Sequence, residues 1–301
     1  MASGLVLIDK PKGWTSHDVV AKLRGIAGTR RVGHAGTLDP MATGLLLVGV
    51  NAGTKLLTFL VGASKTYEAT IRLGASTVTD DAEGEVLDLA AAELVRQIAD
   101  EQIEAAIDSL RGAISQVPSS VSAIKVDGKR AYAKVRGGDE VKLAPRPVVV
   151  SRFEITAPAR IIEDGAATYL DFDAIIECSS GTYIRALARD LGSKLNVGGH
   201  LTALRRTKVN NYSVEDAQSL DGLTRDSLSV APMFDAVKSE FPIRSLSNQE
   251  VIDLRHGKRI AANGVTGPVI AAVVETSVVA MLESVGEQLK SLVVFASDSD
   301  D

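Results

Sequence analysis

Apolar positions along this chain follow two periods, and the changes from one to the other outline its elements. Gly4-Leu5-Val6-Leu7-Ile8 is a short continuous apolar run, which predicts a buried strand. Val19, Val20, Leu23, Ile26 and Ala27 then fall at helical spacing, with Thr15 or Ser16 available as the cap and Gly28 suited to the end. Leu45-Leu46-Leu47-Val48 predicts a second buried strand. From 66 to 73 the period becomes two, with Tyr67, Ala69, Ile71 and Leu73 on one face and Glu68, Thr70 and Arg72 on the other. Tyr67 therefore faces inward. Ile103, Ala106, Ile107 and Leu110 predict a helix, as do Ile184, Leu187, Ala188, Leu191 and Leu195, and strand-like runs at 148–155 and 168–177 lie between them.

Strands and helices mix without regular alternation, which predicts an α+β fold: a central mixed or antiparallel sheet flanked by helices. Around 239–247 the chain changes character, and short apolar runs at 269–274, 278–282 and 292–295 predict a small β-rich module. The expected organisation is one domain over 1–238, a second over 239–296, and a disordered acidic tail at 297–301. No internal repeat is visible.

Composition narrows the class. A chain of 301 residues with 45% hydrophobic and 24% charged residues can bury a sizeable core. No run reaches the roughly 18 apolar residues of a membrane span, and the N-terminus lacks a basic region followed by an apolar one. The single cysteine, Cys178, excludes an intramolecular disulfide framework, and the four histidines are scattered. A cytoplasmic protein with no metal site, no cofactor and no membrane association is the expectation.

The net charge of −5 argues against nucleic acid as a partner until its distribution is read. Lys and Arg outnumber acids by seven to three over 1–60, eight to three over 120–152 and six to one over 181–211. Acids gather instead at 76–115, ten against two. Basic patches on an otherwise acidic protein suit a polyanionic ligand; ordinary solvated surface is the plain alternative.

The segment Gly33-His34-Ala35-Gly36-Thr37-Leu38-Asp39-Pro40-Met41-Ala42-Thr43-Gly44 isolates one acid among glycines, small residues and a proline. Pro40 biases Asp39 away from helix, and the glycines allow close backbone approach to a ligand. Such a loop presents a reactive carboxylate, although any Asp-Pro pair also suits a simple turn.

This segment resembles the catalytic loop of the TruB-type tRNA pseudouridine synthases of bacteria, whose signature is close to G-H-x-G-x-L-D-P-x-A-x-G. Asp9-Lys10-Pro11-Lys12-Gly13-Trp14-Thr15-Ser16, Lys65-Thr66-Tyr67-Glu68-Ala69 and Ser122-Ala123-Ile124-Lys125 support it. So do Gly128-Lys129-Arg130-Ala131-Tyr132, Gly181-Thr182-Tyr183-Ile184-Arg185 and Leu204-Arg205-Arg206, in the family's order. Ser119-Ser120 after Pro118 departs from it, since many relatives carry further proline there.

The resemblance implies isomerisation of uridine 55 in the tRNA T arm with neither metal nor other cofactor; a monomer is the separate expectation. Asp39 would be the catalytic carboxylate, acting as nucleophile at ribose C1′ or as base at C2′. Tyr67 would stack on the flipped uridine and assist loss of the C5 proton, and Arg185 would pair with Asp39. Tyr183 and Leu204 would line the uracil pocket, and His34 would fill the space that the flipped base leaves. Lys10, Lys12, Lys125, Lys129, Arg130, Arg205, Arg206 and Lys208 are the candidate phosphate contacts. Asp81 matches an acid near the RNA-binding surface, and the C-terminal module matches a PUA-like RNA-binding barrel with 251–258 as its leading helix. A glycoside hydrolase would need a second cooperating carboxylate, and none stands in a comparable loop. An RNA-folding module working through its basic patches is the non-catalytic alternative.

Overall fold

The computed structural model describes residues 2–119 and 143–295, with the backbone at 125–126 and 129–130. In chain order the first elements are β1 (Gly4–Lys10), α1 (Ser16–Ala27), β2 (Val32–Ala35), β3 (Thr43–Val50), α2 (Gly53–Leu60), β4 (Lys65–Leu73), β5 (Ala75–Thr77) and β6 (Val86–Leu89). There follow α3 (Ala92–Arg96), α4 (Asp100–Asp108), β7 (Gly112–Gln116), β8 (Lys125–Val126), β9 (Lys129–Arg130), β10 (Arg146–Ile155), β11 (Arg160–Asp164) and β12 (Ala167–Cys178). The rest are α5 (Ile184–Lys194), β13 (Gly199–Val209), β14 (Tyr212–Ser213), β15 (Gln218–Ser219), β16 (Ala231–Pro232), α6 (Met233–Lys238), β17 (Ile243–Ser245), α7 (Asn248–Arg255), β18 (Ile260–Ala261), β19 (Ile270–Val274), β20 (Ser277–Val285) and β21 (Gln288–Val294). The expected α+β character, with its mixed sheet, is what the chain forms.

Two compact units divide it: residues 1–40, 44–61 and 211–301 in the first, 41–43 and 62–210 in the second. In the first unit β1 pairs antiparallel with β3 and β16 and parallel with β15, while β2 pairs antiparallel with β3. Helix α1 starts at a capping box, the Thr15 side chain accepting from the Asp18 amide and Asp18 accepting from the Thr15 amide. The Thr15 hydroxyl, donating to the Asp18 carboxylate at 2.6 Å, and then the Thr15 amide hold that carboxyl below its ordinary range. Gly28 ends the helix at φ 65°, a conformation that glycine adopts without strain. Between these ends Val19, Val20, Leu23 and Ala27 bury against Val6, Ile8, Leu46 and Val48. Farther along the same unit a five-stranded sheet runs β17-β19-β20-β21-β18, closed over Leu254 of α7, Ile270, Ala272, Leu282 and Leu289.

In the second unit the strand order is β13-β4-β12-β10-β7, with β11 on β12. Strand β4 lies antiparallel between β13 and β12, and its alternation is realised: Tyr67, Ala69, Ile71 and Leu73 are buried. Helix α5 packs on β13 and β4 with Ile184, Leu187, Ala188 and Leu191 inward. On the side of β4 away from Tyr67, Arg72 grips Asp171 of β12 through two bonds of 2.7 and 2.8 Å.

The apolar patterns miss α2 and the short strand β2, and they run one helix too long: Leu110 is buried but follows the end of α4 at Asp108. Strands β8 and β9 pair as a two-residue ladder. The side chains of Lys125, Lys129 and Arg130, the rest of the 122–132 motifs and the acidic tail lie outside the described residues. Among those described, no helix is long and apolar enough to cross a membrane.

One buried charge in this unit sets a pH dependence. Lys65 is 8% exposed, and burial, reinforced by Arg206, pushes its ammonium down from 10.5 to about 8. Between those values the unfolded chain holds a proton that the fold has shed, so stability rises with pH across that window. Below pH 8 the full cost of burying the charge is present, about 3 kcal/mol by the size of the shift. Denaturant melts from pH 8 to 10 should therefore show a more positive slope with pH than those of Lys65→Met; equal slopes for the two proteins would reject the assignment.

Candidate active site

The loop that carries Asp39 runs from β2 to β3 and turns at Gly36 (φ 73°), while Gly44 (φ 99°) opens β3 beyond it. Its anchor is the turn leading into α1. Ser16, 1% exposed, accepts the Leu38 amide at 2.9 Å and donates to the Leu38 carbonyl at 3.1 Å. On the other side of Asp39 the Pro40 carbonyl accepts the Gly13 amide at 2.8 Å and the Lys10 ammonium at 3.4 Å. Both neighbours of Asp39 thus have their backbone fixed to the segment from Lys10 to Ser16, and the half-buried Asp39 side chain inherits that order.

Ser16→Ala removes both Leu38 bonds at a buried backbone. The expected outcome is a loss of about 1–3 kcal/mol in stability, read by denaturant melts. A turnover rate lowered about tenfold, with substrate affinity unchanged, should accompany it, as the carboxylate drifts from its set position.

Two candidate phosphate contacts are corrected here. Lys10 is fully buried, its ammonium donating to the carbonyls of Trp14 (2.7 Å), Pro11 (3.0 Å) and Pro40. Arg206 is 1% exposed and sits opposite Tyr67 across the β4–β13 ladder, on the inward face. A cation whose donors are spent on or sealed inside the protein cannot meet a phosphate. Lys12 and Lys208 are exposed and Arg205 is half-buried, one of its Nη atoms 3.4 Å from the Thr43 hydroxyl. His34 is half-buried on β2 and meets the ring of His17 edge to face at 5.5 Å.

Within the second unit, Tyr67 (7% exposed) on β4, Leu204 (8%) on β13 and Tyr183 and Arg185 at the start of α5 belong to packed neighbours. Leu204 stands opposite Ala69, so it shares the face of Tyr67. Arg185 is 5% exposed, and its Nη1 donates to the Thr79 carbonyl at 2.8 Å and lies 3.3 Å from Asp81 Oδ2. Asp81 is 3% exposed, held by the Thr79 hydroxyl and by the Glu83 amide at 3.0 Å. The acid expected near an RNA-binding surface is instead an interior partner of Arg185. Asp80 beside it adopts φ 59° and approaches Arg189, one turn along α5, at 3.3 Å. Burial pushes the Asp80 carboxyl up, against the opposing pull of Arg189.

Ser16 stood in a sequence motif only as a candidate helix cap, and His17 and Gln116 were not among the residues that such motifs single out. Their roles depend on partners 22, 17 and 67 positions away, for which no local signal exists. Among the described residues no group of three or more His, Cys, Asp or Glu is placed to hold a metal ion.

The arrangement matches known proteins throughout its length. Residues 24–184 match the TruB family pseudouridylate synthase N-terminal domain, 185–232 the tRNA pseudouridylate synthase B C-terminal domain, and 241–296 the tRNA pseudouridine synthase II C-terminal domain. The tRNA pseudouridine synthase B of Arthrobacter sp. (strain FB24) is 53% identical over 100% of this chain and 99% of that one. The corresponding protein of Mycobacterium leprae is 51% identical over 98% and 91%. In structure the chain resembles a protein in an H/ACA ribonucleoprotein bound to a substrate RNA containing 2′-deoxyuridine, with a TM-score of 0.69 at 23% identity over 98% of this chain and 85% of that one. A chain of an archaeal box H/ACA Nop10–Cbf5 complex gives 0.67 at 23% over 97% and 86%. Fold and matches together define a pseudouridine synthase, an isomerase. The chain belongs to the TruB family of pseudouridylate synthases.

Proposed function

We propose that this enzyme converts uridine 55 in the T loop of tRNA to pseudouridine, with Asp39 as the catalytic carboxylate. The reaction breaks the bond between ribose C1′ and uracil N1, turns the base, joins C5 to C1′ and releases the C5 proton. No redox step or external energy is required. Asp39 begins it either by attack at C1′ or by removing the C2′ proton to give a glycal. The observation that carries this reading is the clamped loop: Leu38 and Pro40 are each held through the backbone, so the carboxylate between them is pre-set.

The uridine must leave its stack to reach such a group. Tyr67 supplies the face on which it rests and assists C5 deprotonation, Tyr183 and Leu204 the pocket walls, and Arg185 the cation that pairs with Asp39. His34 takes the vacated place in the T loop. Lys12, Arg205, Lys208 and the 125–130 segment meet phosphate, a role that their chemistry and sequence position support. Residues 1–238 act as the catalytic domain, and 239–296 as a PUA-like domain adding RNA affinity. The enzyme works as a cytoplasmic monomer with tRNA as its sole partner.

The test is tritium release from an unmodified tRNA transcript labelled at uridine C5, with the modified position mapped afterwards. Release confined to the T-loop uridine is the expected result. Release from another position would replace the assigned target, and binding without release would favour an RNA-folding role.

A further inference from the structure

The start of α5 carries both Tyr183 and Arg185, yet its cap position has no capping side chain of its own. Tyr183 stands there in extended conformation (φ −102°, ψ 107°), with no side-chain bond to the helix amides. What holds this end comes from 67 residues earlier. The Gln116 amide accepts the Tyr183 N–H through Oε1 at 2.8 Å and donates from Nε2 to the Tyr183 carbonyl at 3.0 Å. One side chain thus closes both backbone groups of one residue, as a neighbouring strand would.

The placement of Gln116 is unusual for a polar residue. It ends β7, is 2% exposed, and is the one buried position of that strand. Its backbone belongs to the ladder with β10, opposite Arg146, which leaves the amide to point its two polar atoms at Tyr183. A buried amide is costly unless both ends are bonded, and here both are. The bonded carbonyl also begins the helix, accepting the Leu187 amide at 3.2 Å. Arg185 follows two residues later, its guanidinium aimed at the Thr79 carbonyl and Asp81. A rotation at Tyr183 carries its ring and Arg185 with it.

We propose that Gln116 is a positioning residue for the isomerisation, setting the Tyr183 ring and the Arg185 guanidinium through the Tyr183 backbone. The inference rests on the reading above, in which those two side chains serve the uridine and Asp39. No other residue of β7 is buried. Leucine would keep the volume and lose both bonds. Glutamate would keep the acceptor for the amide but set an oxygen against the Tyr183 carbonyl.

The test compares Gln116→Leu, Gln116→Glu, Arg185→Lys and the Gln116→Leu/Arg185→Lys double variant on an unmodified tRNA transcript. It reads the single-turnover rate constant per binding-competent molecule, the Kd for tRNA and the melting temperature. Each Gln116 variant should lower the rate about 10- to 100-fold with Kd within about twofold, because displacing a reacting group by an ångström has that size of effect. The double variant should be slower than Arg185→Lys by much less than the Gln116→Leu factor, since the two changes act on one group. Multiplying effects, a native rate, or rate and affinity falling together would overturn the proposal. The isosteric Gln116→Glu decides the matter if Gln116→Leu fails to fold. A native rate for Arg185→Ala, made alongside, would instead sink the site reading, whereas a slow Arg185→Lys beside native Gln116 variants would remove only the role of Gln116.

Discussion

Asp39→Asn should bind an unmodified tRNA transcript with an affinity within a few-fold of native while forming product at least about ten-thousand-fold more slowly. An amide neither attacks C1′ nor accepts a proton at neutral pH, and loss of a central catalytic group has effects of that order. The substitution leaves the shape of the loop alone. Leu38 stays bonded at both ends to Ser16, and Pro40 to Gly13 and Lys10, so the backbone has no reason to move. Filter binding and single-turnover tritium release on the same preparation separate the two quantities. Equal losses in both would make Asp39 a structural residue of the loop rather than its chemical group.

The second large effect is expected at Arg185. Replacement by Lys preserves the positive charge and removes the planar fork, so a role in charge alone predicts little change. The geometry predicts more: the guanidinium of Arg185, itself 5% exposed, meets the Thr79 carbonyl at 2.8 Å and Asp81 at 3.3 Å. A lysine ammonium on a different stem cannot hold the same partners in the same plane. The turnover rate should fall about a hundredfold, as for the loss of one pre-set donor, with tRNA affinity little affected. Asp81→Asn should move in the same direction, because a neutral amide leaves the guanidinium without its 3.3 Å counter-charge. A rate near native in Arg185→Lys would show that this site needs a cation and not a fork.

Much of the architecture was legible where a local rule operates. The ends of α1 follow from Thr15, Asp18 and Gly28, and the buried face of β4 follows from a period of two. Asp39 stands out because its loop is built from residues with few other uses. Legibility failed for charged residues, since a lysine or arginine looks the same in sequence whether solvated or sealed. Lys10 and Arg206 read as RNA contacts until burial shows one donating to three carbonyls and the other under Tyr67's ladder. It failed as well for α2, whose eight residues from Gly53 to Leu60 are too few to display a helical stripe, and for β2, hidden inside the Asp39 motif. Asp81 was visible as an acid, but its inward turn depends on backbone bonds to Leu201 far along the chain.

The first unit is assembled from both ends of the polypeptide. Strand β1 takes one neighbour from 43–50 and two more from 218–219 and 231–232. During synthesis the middle of the chain emerges and can fold while β1 still lacks its C-terminal partners. Closing so long a loop is slow compared with local pairing. The pairings with 218–219 and 231–232 therefore form later than the more local β1–β3 pairing. Until they form, the β1 edge of the sheet that carries the Asp39 loop is left open.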